Sequence, residues 1–360
     1  MRTFRLFGIA VALLATIGCG PEQGKEKPLR YGPGELDHSQ LDPVKVRGRV
    51  LASGDYLGRP SRIVPSSEHL LVLDNIGDSV LHVISTSDGR RVQSQGRRGR
   101  GPGEFEGAWS LSRDPRDANS VWVFDVSLSR LTRIDLARLD RSGSNPEILT
   151  LRADLVPVQP LWLSDSVLVS PNFSPRGRLL FLDRAGRLIR SGGEVPTDSR
   201  GTPPGVLQQA WTGKLAVMPS GNRMVIATQF ADQIEIYDAA GTLVRKVRGP
   251  FRFDPRFTVA NAGDMQTMAS DESMRIGYSD LAVTDEHIYA LFSGRTREAF
   301  GGGGAPFGRY VHVYDWDGNL VRTLELSTPV ISLAISPDHK TLYGTRHDPE
   351  PAIMAFDLEG

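Results

Sequence analysis

The chain has 360 residues, of which 39% are hydrophobic, and its 42 Lys and Arg residues balance its 42 Asp and Glu residues. Because these charges cancel, the chain has no global positive field to attract nucleic acid or an anionic membrane surface. The length is ample for a continuous hydrophobic core. The single cysteine excludes an intrachain disulfide.

Residues 1–18 have the pattern of an export signal. Basic residues precede an apolar run at 6–17, which is too short to cross a bilayer, since crossing needs about 20 apolar residues. Because Cys19 follows this run closely, the segment resembles a bacterial lipoprotein signal with its lipobox. The resemblance implies that Cys19 begins the mature chain and carries acyl chains, which would anchor the protein in a membrane. Plain secretion and a retained anchor are the alternatives.

Residues 19–43 predict a flexible tether, because they are rich in Gly, Pro, Glu and Lys and lack apolar periodicity. Residues 44–51 then alternate between apolar and polar side chains, which predicts a β-strand.

From residue 44 to residue 360 the chain repeats one unit, with period-two alternation throughout. Apolar runs that end in a tight turn recur six times, and the turns fall at Thr86, Asp135, Asp183, Asp238, Asp315 and Asp357. A second strand-and-turn motif recurs in phase at 215–219, 281–285 and 333–337. Each unit accounts for four antiparallel strands. The prediction is an all-β fold, a six-bladed β-propeller of four-stranded antiparallel blades.

The ends of the predicted ring also suggest how it closes. The sixth unit stops at residue 360, after its third strand and turn, so it lacks an outer strand. The run at 44–51 precedes the first complete unit. We therefore predict that this N-terminal strand completes the last blade, which would remove two exposed sheet edges.

The first connection between blades is rich in arginine, including Arg98 and Arg100. Two interpretations remain open for this stretch. One is a solvated outer strand and loop, and the other is a lip that binds anions.

Loop lengths predict that the two faces of the disc differ. Successive connections in a four-stranded antiparallel blade alternate between the faces. The first-to-second and third-to-fourth connections are short, whereas the other two classes carry nearly all the inserted length. Because long loops in a compact domain are usually functional or disordered, we predict one working face and one plain face.

The connection at 250–279 is the strongest candidate for a binding surface. It contains Arg252, Phe253, Arg256 and Phe257, which are residue types favoured at binding surfaces, followed by a methionine-rich stretch. The alternative is that its phenylalanines pin the loop to the disc.

No motif for a known catalytic or cofactor chemistry is present. The chain lacks a Gly-x-Ser-x-Gly elbow, a His-Glu-x-x-His pair, a phosphate-binding loop and a dinucleotide fingerprint. Residues 315–319 lack the distant Glu of a calcium loop and predict a hairpin turn. Asp74 and Asp125, which end strands, are predicted to accept backbone hydrogen bonds, with a metal role as the alternative. The sequence therefore assigns no catalytic residue, no metal ligand and no cofactor.

Two segments resemble the six-bladed TolB-like and NHL-like propeller lipoproteins of Gram-negative bacteria. Residues 288–294 with 311–319 are similar to the fifth blade of that group, and residues 96–105 are similar to its interblade linker. The linker residues are Gly101, Pro102, Gly103, Glu104 and Phe105. The resemblance spans 44–360 and implies a propeller that is lipid-anchored in the cell envelope, at the outer membrane. It implies little chemistry, because fold alone does not settle function.

Two main functional hypotheses follow. The first is a monomeric, non-catalytic binding module that holds an envelope protein, peptide or glycan on its long-loop face and touches the membrane only through its anchor. Its candidate contact residues are Arg98, Arg100, Arg252, Phe253, Arg256 and Phe257. The second is a metal-dependent hydrolase or lyase with its site at the mouth of the central channel. A passive structural component is a third possibility.

Overall fold

The computed structural model describes residues 36–359 except 67, 78, 137–145, 153–154, 264 and 301–305. The predicted signal sequence, Cys19 and most of the predicted tether lie outside the described residues. The end of the tether that is described packs against the protein: Ser39–Leu41 form a short 3-10 turn, and His38 is only 2% exposed.

The described chain forms six antiparallel blades, as predicted. Two strands precede the blades, β1 (Val44–Val46) and β2 (Gly48–Ser53). Blade one contains β3 (Pro60–Pro65), β4 (His69–Asp74), β5 (Leu81–Ser85) and β6 (Arg91–Gln95). Blade two contains β7 (Ala108–Asp114), β8 (Asp117–Asp125), β9 (Arg130–Asp135) and β10 (Ile148–Thr150). Blade three contains β11 (Leu161–Trp162), β12 (Val167–Pro171), β13 (Leu179–Asp183) and β14 (Leu188–Gly192).

Two inserted elements separate the next blades, where the sequence predicted only loops. A helix, α1 (Pro204–Ala210), precedes blade four, which contains β15 (Gly213–Val217), β16 (Arg223–Thr228), β17 (Gln233–Asp238) and β18 (Leu243–Arg248). A hairpin of β19 (Thr258–Ala262) and β20 (Met265–Ala269) precedes blade five, which contains β21 (Tyr278–Val283), β22 (His287–Phe292), β23 (Gly308–Asp315) and β24 (Leu320–Val330). A 3-10 turn, Glu298–Phe300, lies between β22 and β23. Blade six contains β25 (Ser332–Ile335), β26 (Thr341–Arg346) and β27 (Ala352–Asp357).

Burial follows the position of a strand within its blade. The second strand of a blade lies between two neighbouring blades, so side chains on both of its faces are buried. In β4, the four residues from Leu70 to Leu73 are all 0% exposed. Such strands are near-continuous apolar runs. The outermost strand is different, since five of the six residues of β18 are exposed.

The N-terminal strand closes the ring as predicted, but it is divided in two. β2 pairs antiparallel with β27, from Gly48 opposite Phe356 to Ser53 opposite Ala352. β1 instead pairs parallel with β24, so blade five has five strands. Val46 is buried there with Leu324 and Leu326, which explains why residues 44–46 stay with blade five.

Gly48 allows the chain to pass from one blade to the other. A Cβ atom at Gly48 would lie 2.4 Å from the Phe356 ring, so the close crossing requires a glycine. The Gly48 amide donates to Ser327 Oγ at 2.8 Å. The N-terminal ribbon therefore fastens both of the last two blades.

Residues 315–319 form the predicted hairpin turn. Asp315 Oδ1 accepts hydrogen bonds from the amides of Asp317 and Asn319, at 3.0 and 2.8 Å. Within the part of the chain that the structure describes, no helix has the length and apolar character needed to cross a membrane.

Candidate functional site

Helix α1 and the β19–β20 hairpin lie in consecutive interblade connections, on the face that carries the long loops. They are joined by Gln209, whose Oε1 accepts hydrogen bonds from Thr267 Oγ1 at 2.8 Å and from the Met268 amide at 3.1 Å. We call residues 204–210 and 258–269 together the platform. Gln208 Nε2 donates to the Gly177 carbonyl at 2.7 Å, which fixes the platform to blade three.

A buried ion pair supports the helix end of the platform. Arg178 Nε lies 3.0 Å from Glu235 Oε2, and neither side chain is more than 4% exposed. Arg178 Nη2 also donates to the Trp211 carbonyl at 2.5 Å, directly after the helix. Tyr237 Oη donates to the same Glu235 oxygen at 2.8 Å. Because every partner is tied to blade three or blade four, the helix has a fixed base.

A buried carboxylate, Asp232, holds the start of the connection that leads to the hairpin of the platform. Asp232 Oδ2 accepts from the amides of Phe251 and Arg252, at 2.6 and 3.1 Å. Tyr278 Oη donates to the other oxygen at 2.9 Å. Burial raises the pKa of Asp232, although these hydrogen bonds oppose the shift. The first residues of the 250–279 connection are therefore held in place.

An aromatic cluster anchors the same connection. The His38 ring stacks on Tyr310 with centroids 3.6 Å apart, and Phe251 meets its edge at 4.6 Å. Phe251 also stacks on Phe292 at 5.3 Å, and Phe253 lies 6.3 Å from Phe292. Burial lowers the pKa of His38 to about 4. Phe253, a candidate contact residue, thus packs against the disc, in agreement with the pinning alternative.

Arg256 and Phe257 lie together beside the hairpin, in a cavity of about 350 Å³. The residues that line it are Arg200, Pro255, Arg256, Phe257, Thr258, Ala269 and Asp271. The Arg200 guanidinium lies 4.7 Å from the Phe257 ring centroid and pairs with Asp198 at 2.9 Å. The side chains of Arg256 and Asp271 are exposed.

Arg252 lies apart from that cavity. Its φ is +53°, a conformation uncommon for residues other than glycine. It borders a second cavity of about 250 Å³, which is lined by Val247, Arg248, Gly249, Pro250, Arg252, Tyr314, Gly318 and Leu320. On the hairpin itself, Val259 is 42% exposed and Met265 is 58% exposed.

The arginines of the first interblade connection lie on the opposite side of the ring, between blades one and two. The Arg98 guanidinium donates to the Asn75 carbonyl. Arg100 lies 3.6 Å from Glu106, with 74% of its side chain exposed. Three blades separate this connection from the 250–279 connection. The structure therefore does not bring Arg98 and Arg100 together with Arg256 and Phe257.

The residues that resemble an interblade linker form a closed loop. The Gly101 amide donates to Glu104 Oε2 at 2.8 Å, and Phe105 is 1% exposed in the core between blades one and two. Pro102 is exposed at the tip, and Gly103 has φ +75°, which favours glycine. These side chains therefore hold the loop itself together.

Asp74 and Asp125 accept backbone hydrogen bonds, as predicted. Asp74 accepts from the amides of Gly58, Arg59 and Ile76 at 2.6–2.9 Å. Asp125 accepts from the amides of Glu106, Gly107 and Leu128 at 2.7–3.1 Å. Each carboxylate holds the connection that leads into the first strand of its own blade.

In blade three, Ser170 takes this role, which sequence reasoning missed. Its Oγ accepts from the amides of Val158 and Gln159, at 3.1 and 3.0 Å. The only signal was its position at the end of the second strand, since a serine there carries no pattern of its own.

Sequence reasoning also missed a polar group at the mouth of the central channel. Arg62, Trp109, Lys214 and Asp280 stand near the beginning of the innermost strands of blades one, two, four and five. Arg62 Nη1 lies 4.0 Å from Asp280 Oδ2, and Lys214 Nζ lies 5.7 Å from the Trp109 ring centroid. Both contacts join blades that are not neighbours, so they cross the channel. Innermost strands begin at the long-loop face, which places this group at the working-face mouth.

The comparison with protein families gives one match, to the family described as TolB-like 6-blade propeller-like, over residues 43–338. The chain belongs to this family. The TolB-like match ends before β26, and the structure adds β26 and β27 to complete the sixth blade. Among curated proteins, no match was found.

Solved structures share the propeller fold with this TolB-like chain at low sequence identity. A putative exported protein from Bacteroides fragilis is 13% identical, with a TM-score of 0.52, and the alignment covers 88% of this chain and 95% of that one. The structure of U3-55K is 11% identical, with a TM-score of 0.52 and coverage of 86% and 98%. The WD40 repeats of RRP9 are 11% identical, with a TM-score of 0.52 and coverage of 86% and 97%. These similarities show the fold.

A metal site at the channel mouth of the TolB-like propeller would need several carboxylate or imidazole side chains close together. Among the described residues, no group of three His, Cys, Asp or Glu side chains lies close enough together to hold a metal ion. At the channel mouth itself, Asp280 faces two cations, Arg62 and Lys214. A divalent cation there would meet repulsion from both.

Proposed function

We propose that this TolB-like propeller is a non-catalytic binding module, anchored in the cell envelope by lipid on Cys19, which holds a protein partner on its platform. The observation that carries the proposal is the placement of the inserted elements. Helix α1 and the β19–β20 hairpin lie on one face, are bonded to each other through Gln209, and rest on buried contacts below.

Buttressing of this kind favours binding. Arg178, Glu235 and Asp232 are buried and fully engaged beneath the platform, so a partner would meet a surface that is already ordered. Preorganisation improves affinity, because less conformational entropy is lost on association.

The β19–β20 hairpin exposes side chains of the kinds that anchor protein interfaces. Val259 and Met265, which the strand register places on opposite faces of the hairpin, expose apolar surface, and methionine adapts its shape to a partner. Next to the hairpin, Arg256 and Phe257 border the 350 Å³ cavity, and the Arg200 guanidinium, 4.7 Å from the Phe257 ring centroid, also lines it. Because Arg200 pairs with Asp198, Arg256 and the Phe257 ring are the groups that would meet a partner, and they suit a segment that carries an acidic side chain next to an apolar one.

The envelope location rests on the N-terminal sequence. An apolar run that is too short to span a bilayer is followed by a lone cysteine and a segment without apolar periodicity. Such an arrangement would place the propeller near a membrane.

The test of the working face is site-specific photo-crosslinking in cells. A photoreactive residue at Met265 should give one discrete crosslinked product, and the same residue at Glu286, on a short turn of the plain face, should give none. Combining Arg256→Glu with Phe257→Ala should abolish the Met265 product while leaving the fold intact. Equal crosslinking from both positions, or a product that survives the double change, would contradict the proposal.

Anchoring is tested separately. Cys19→Ala should move the protein from the membrane fraction to the soluble fraction of the envelope, and Cys19→Ser should do the same. If both variants stay with the membrane, the lipid anchor is wrong, and the crosslinking result still decides the working face.

A further inference from the structure

The channel mouth has an electrostatic imbalance that the platform does not explain. Arg62, Trp109, Lys214 and Asp280, which we call the mouth group, comprise two cations, one carboxylate and one aromatic ring. If both basic side chains are protonated, the group carries one excess positive charge. The interaction between the charges of Arg62 and Lys214 is unfavourable for both.

The single carboxylate does not neutralise the two cations. Asp280 Oδ2 already accepts the Leu333 amide at 2.9 Å, and its contact with Arg62 is long, at 4.0 Å. Arg62 Nη1 donates to the Ser61 carbonyl at 2.9 Å, while its buried Nε has no hydrogen-bond partner among the described residues. The Lys214 side chain makes no hydrogen bond or ion pair within the described part of the chain, and its Nζ lies 5.7 Å from the Trp109 ring centroid.

Because the mouth group is largely buried, its excess positive charge is unfavourable in free energy. The protein that surrounds Lys214 lowers its pKa to about 7, chiefly by desolvation and then by the charge of Arg62, against the opposing effect of Asp280. Charges interact more strongly here than on the surface, because the channel wall has a low dielectric constant. An anion that entered the mouth would gain from both cations at once.

Trp109 completes the set. Trp109 is 39% exposed even though it belongs to an innermost strand. An indole ring next to a cation provides a flat apolar surface on which a planar ligand can stack.

From this arrangement we infer that the mouth group is a binding site for the oxyanion of a small molecule, held between Arg62 and Lys214 with the body of the ligand against Trp109. Guanidinium and ammonium groups together recognise carboxylate, phosphate and sulfate oxygens. The site is distinct from the platform and does not depend on the proposed protein partner.

The experiment is isothermal titration calorimetry of the full propeller with sulfate, acetate and benzoate as probes. We expect saturable binding of sulfate, and weakening of at least 10-fold in Lys214→Met and in Arg62→Met. Lys214→Arg should retain most of the affinity. Arg256→Met, which removes a cation from the platform cavity instead, is the matched control and should bind as the wild type does.

Two further readings sharpen the result. Benzoate should bind more tightly than acetate, and Trp109→Leu should remove the difference. Sulfate affinity should fall as the pH rises above about 7, because Lys214 then loses its proton while sulfate keeps its charge. Arg62 and Asp280 are the other charged groups that interact with Lys214.

Thermal unfolding of each variant establishes that it is folded. Lys214→Met removes a buried charge and should not destabilise the propeller. No binding of any probe to the wild type, or unchanged sulfate affinity in both Lys214→Met and Arg62→Met, would overturn the inference. Loss of sulfate binding in Arg256→Met would also overturn it, by moving the anion to the platform.

Discussion

The connection between blades one and two and the connection between blades four and five begin from similar materials. Both lie on the long-loop face, and both contain several arginines and at least one phenylalanine. In the first, Phe105 is 1% exposed, and Arg130 Nη2 donates to the carbonyls of Gly101 and Glu104 at 2.8 and 2.5 Å. In the second, Asp232 and the ring of Phe251 hold the base, and Gln209 holds one strand of the hairpin.

The two connections differ in which of their side chains remain exposed. In the first connection, the aromatic ring is buried and several backbone carbonyls accept hydrogen bonds from the protein. Its exposed arginines therefore lie on a structural loop. The second is fixed at its base and then projects a hairpin with Val259 and Met265 exposed. Residue composition is therefore a weak guide to a binding surface, whereas burial at the base combined with exposure at the tip is a strong one.

The largest expected effect is a difference in stability between alanine variants of Phe105 and Phe257, one phenylalanine from each connection. Phe105→Ala should lower the free energy of unfolding by about 4 kcal/mol, since it empties a buried site between blades. Phe257→Ala removes a partly exposed ring and should cost about 1 kcal/mol or less. Urea unfolding of both variants measures the contrast. Equal losses would mean that Phe257 is structural, and would remove it from the proposed surface.

A smaller effect is expected from two aspartates. Asp125→Ala leaves two backbone amides of the blade one–two connection and one of the β8–β9 turn without their acceptor, and should cost about 2–3 kcal/mol, because unsatisfied buried donors are expensive. Asp271 is exposed beside the cavity next to the hairpin, so Asp271→Ala should change the free energy of unfolding by no more than about 0.5 kcal/mol. Urea unfolding again gives both values. A large loss for Asp271→Ala would show that the cavity rim supports the fold.

The same contrast explains how far the sequence could lead. Repeated period-two strands and in-phase turns predicted the six blades, because each unit carries its own pattern. The pattern continues across Arg47, so the division of the first strand between blades five and six was not visible. It depends on Val46 meeting Leu324 and on the close approach of Gly48 to Phe356.

The candidate sites were harder to predict, because their residues are distant in the sequence. The hairpin at 258–269 is too short and too polar to give a strong strand signal, and α1 has fewer than three turns. Arg256 and Phe257 could be proposed as candidates because they are adjacent in the sequence. Arg62, Trp109, Lys214 and Asp280 come from four blades, and only the folded ring brings them together.

The smallest expected effect is an acid dependence at the base of the blade four–five connection. His38 stacks on Tyr310 and meets Phe251, and burial lowers its pKa to about 4, while His312, 5.5 Å away, also has a pKa far below normal because of burial and the nearby His38. In the unfolded chain a histidine titrates near about 6.5. Between these values the unfolded state binds more protons than the folded state, so stability should fall as the pH drops from about 6.5 towards 4.

Urea unfolding of the wild type at pH 7.5 and pH 5 should differ by roughly 1–2 kcal/mol from His38 alone. His38→Phe keeps an aromatic ring against Tyr310 but binds no proton, so its unfolding free energy should depend less steeply on pH. If His38→Phe shows the same acid dependence as the wild type, the imidazole does not titrate in contact with Phe251. The base of this connection would then be looser than the ring stacking indicates, and the contrast with the blade one–two connection would extend from the hairpin down to the disc.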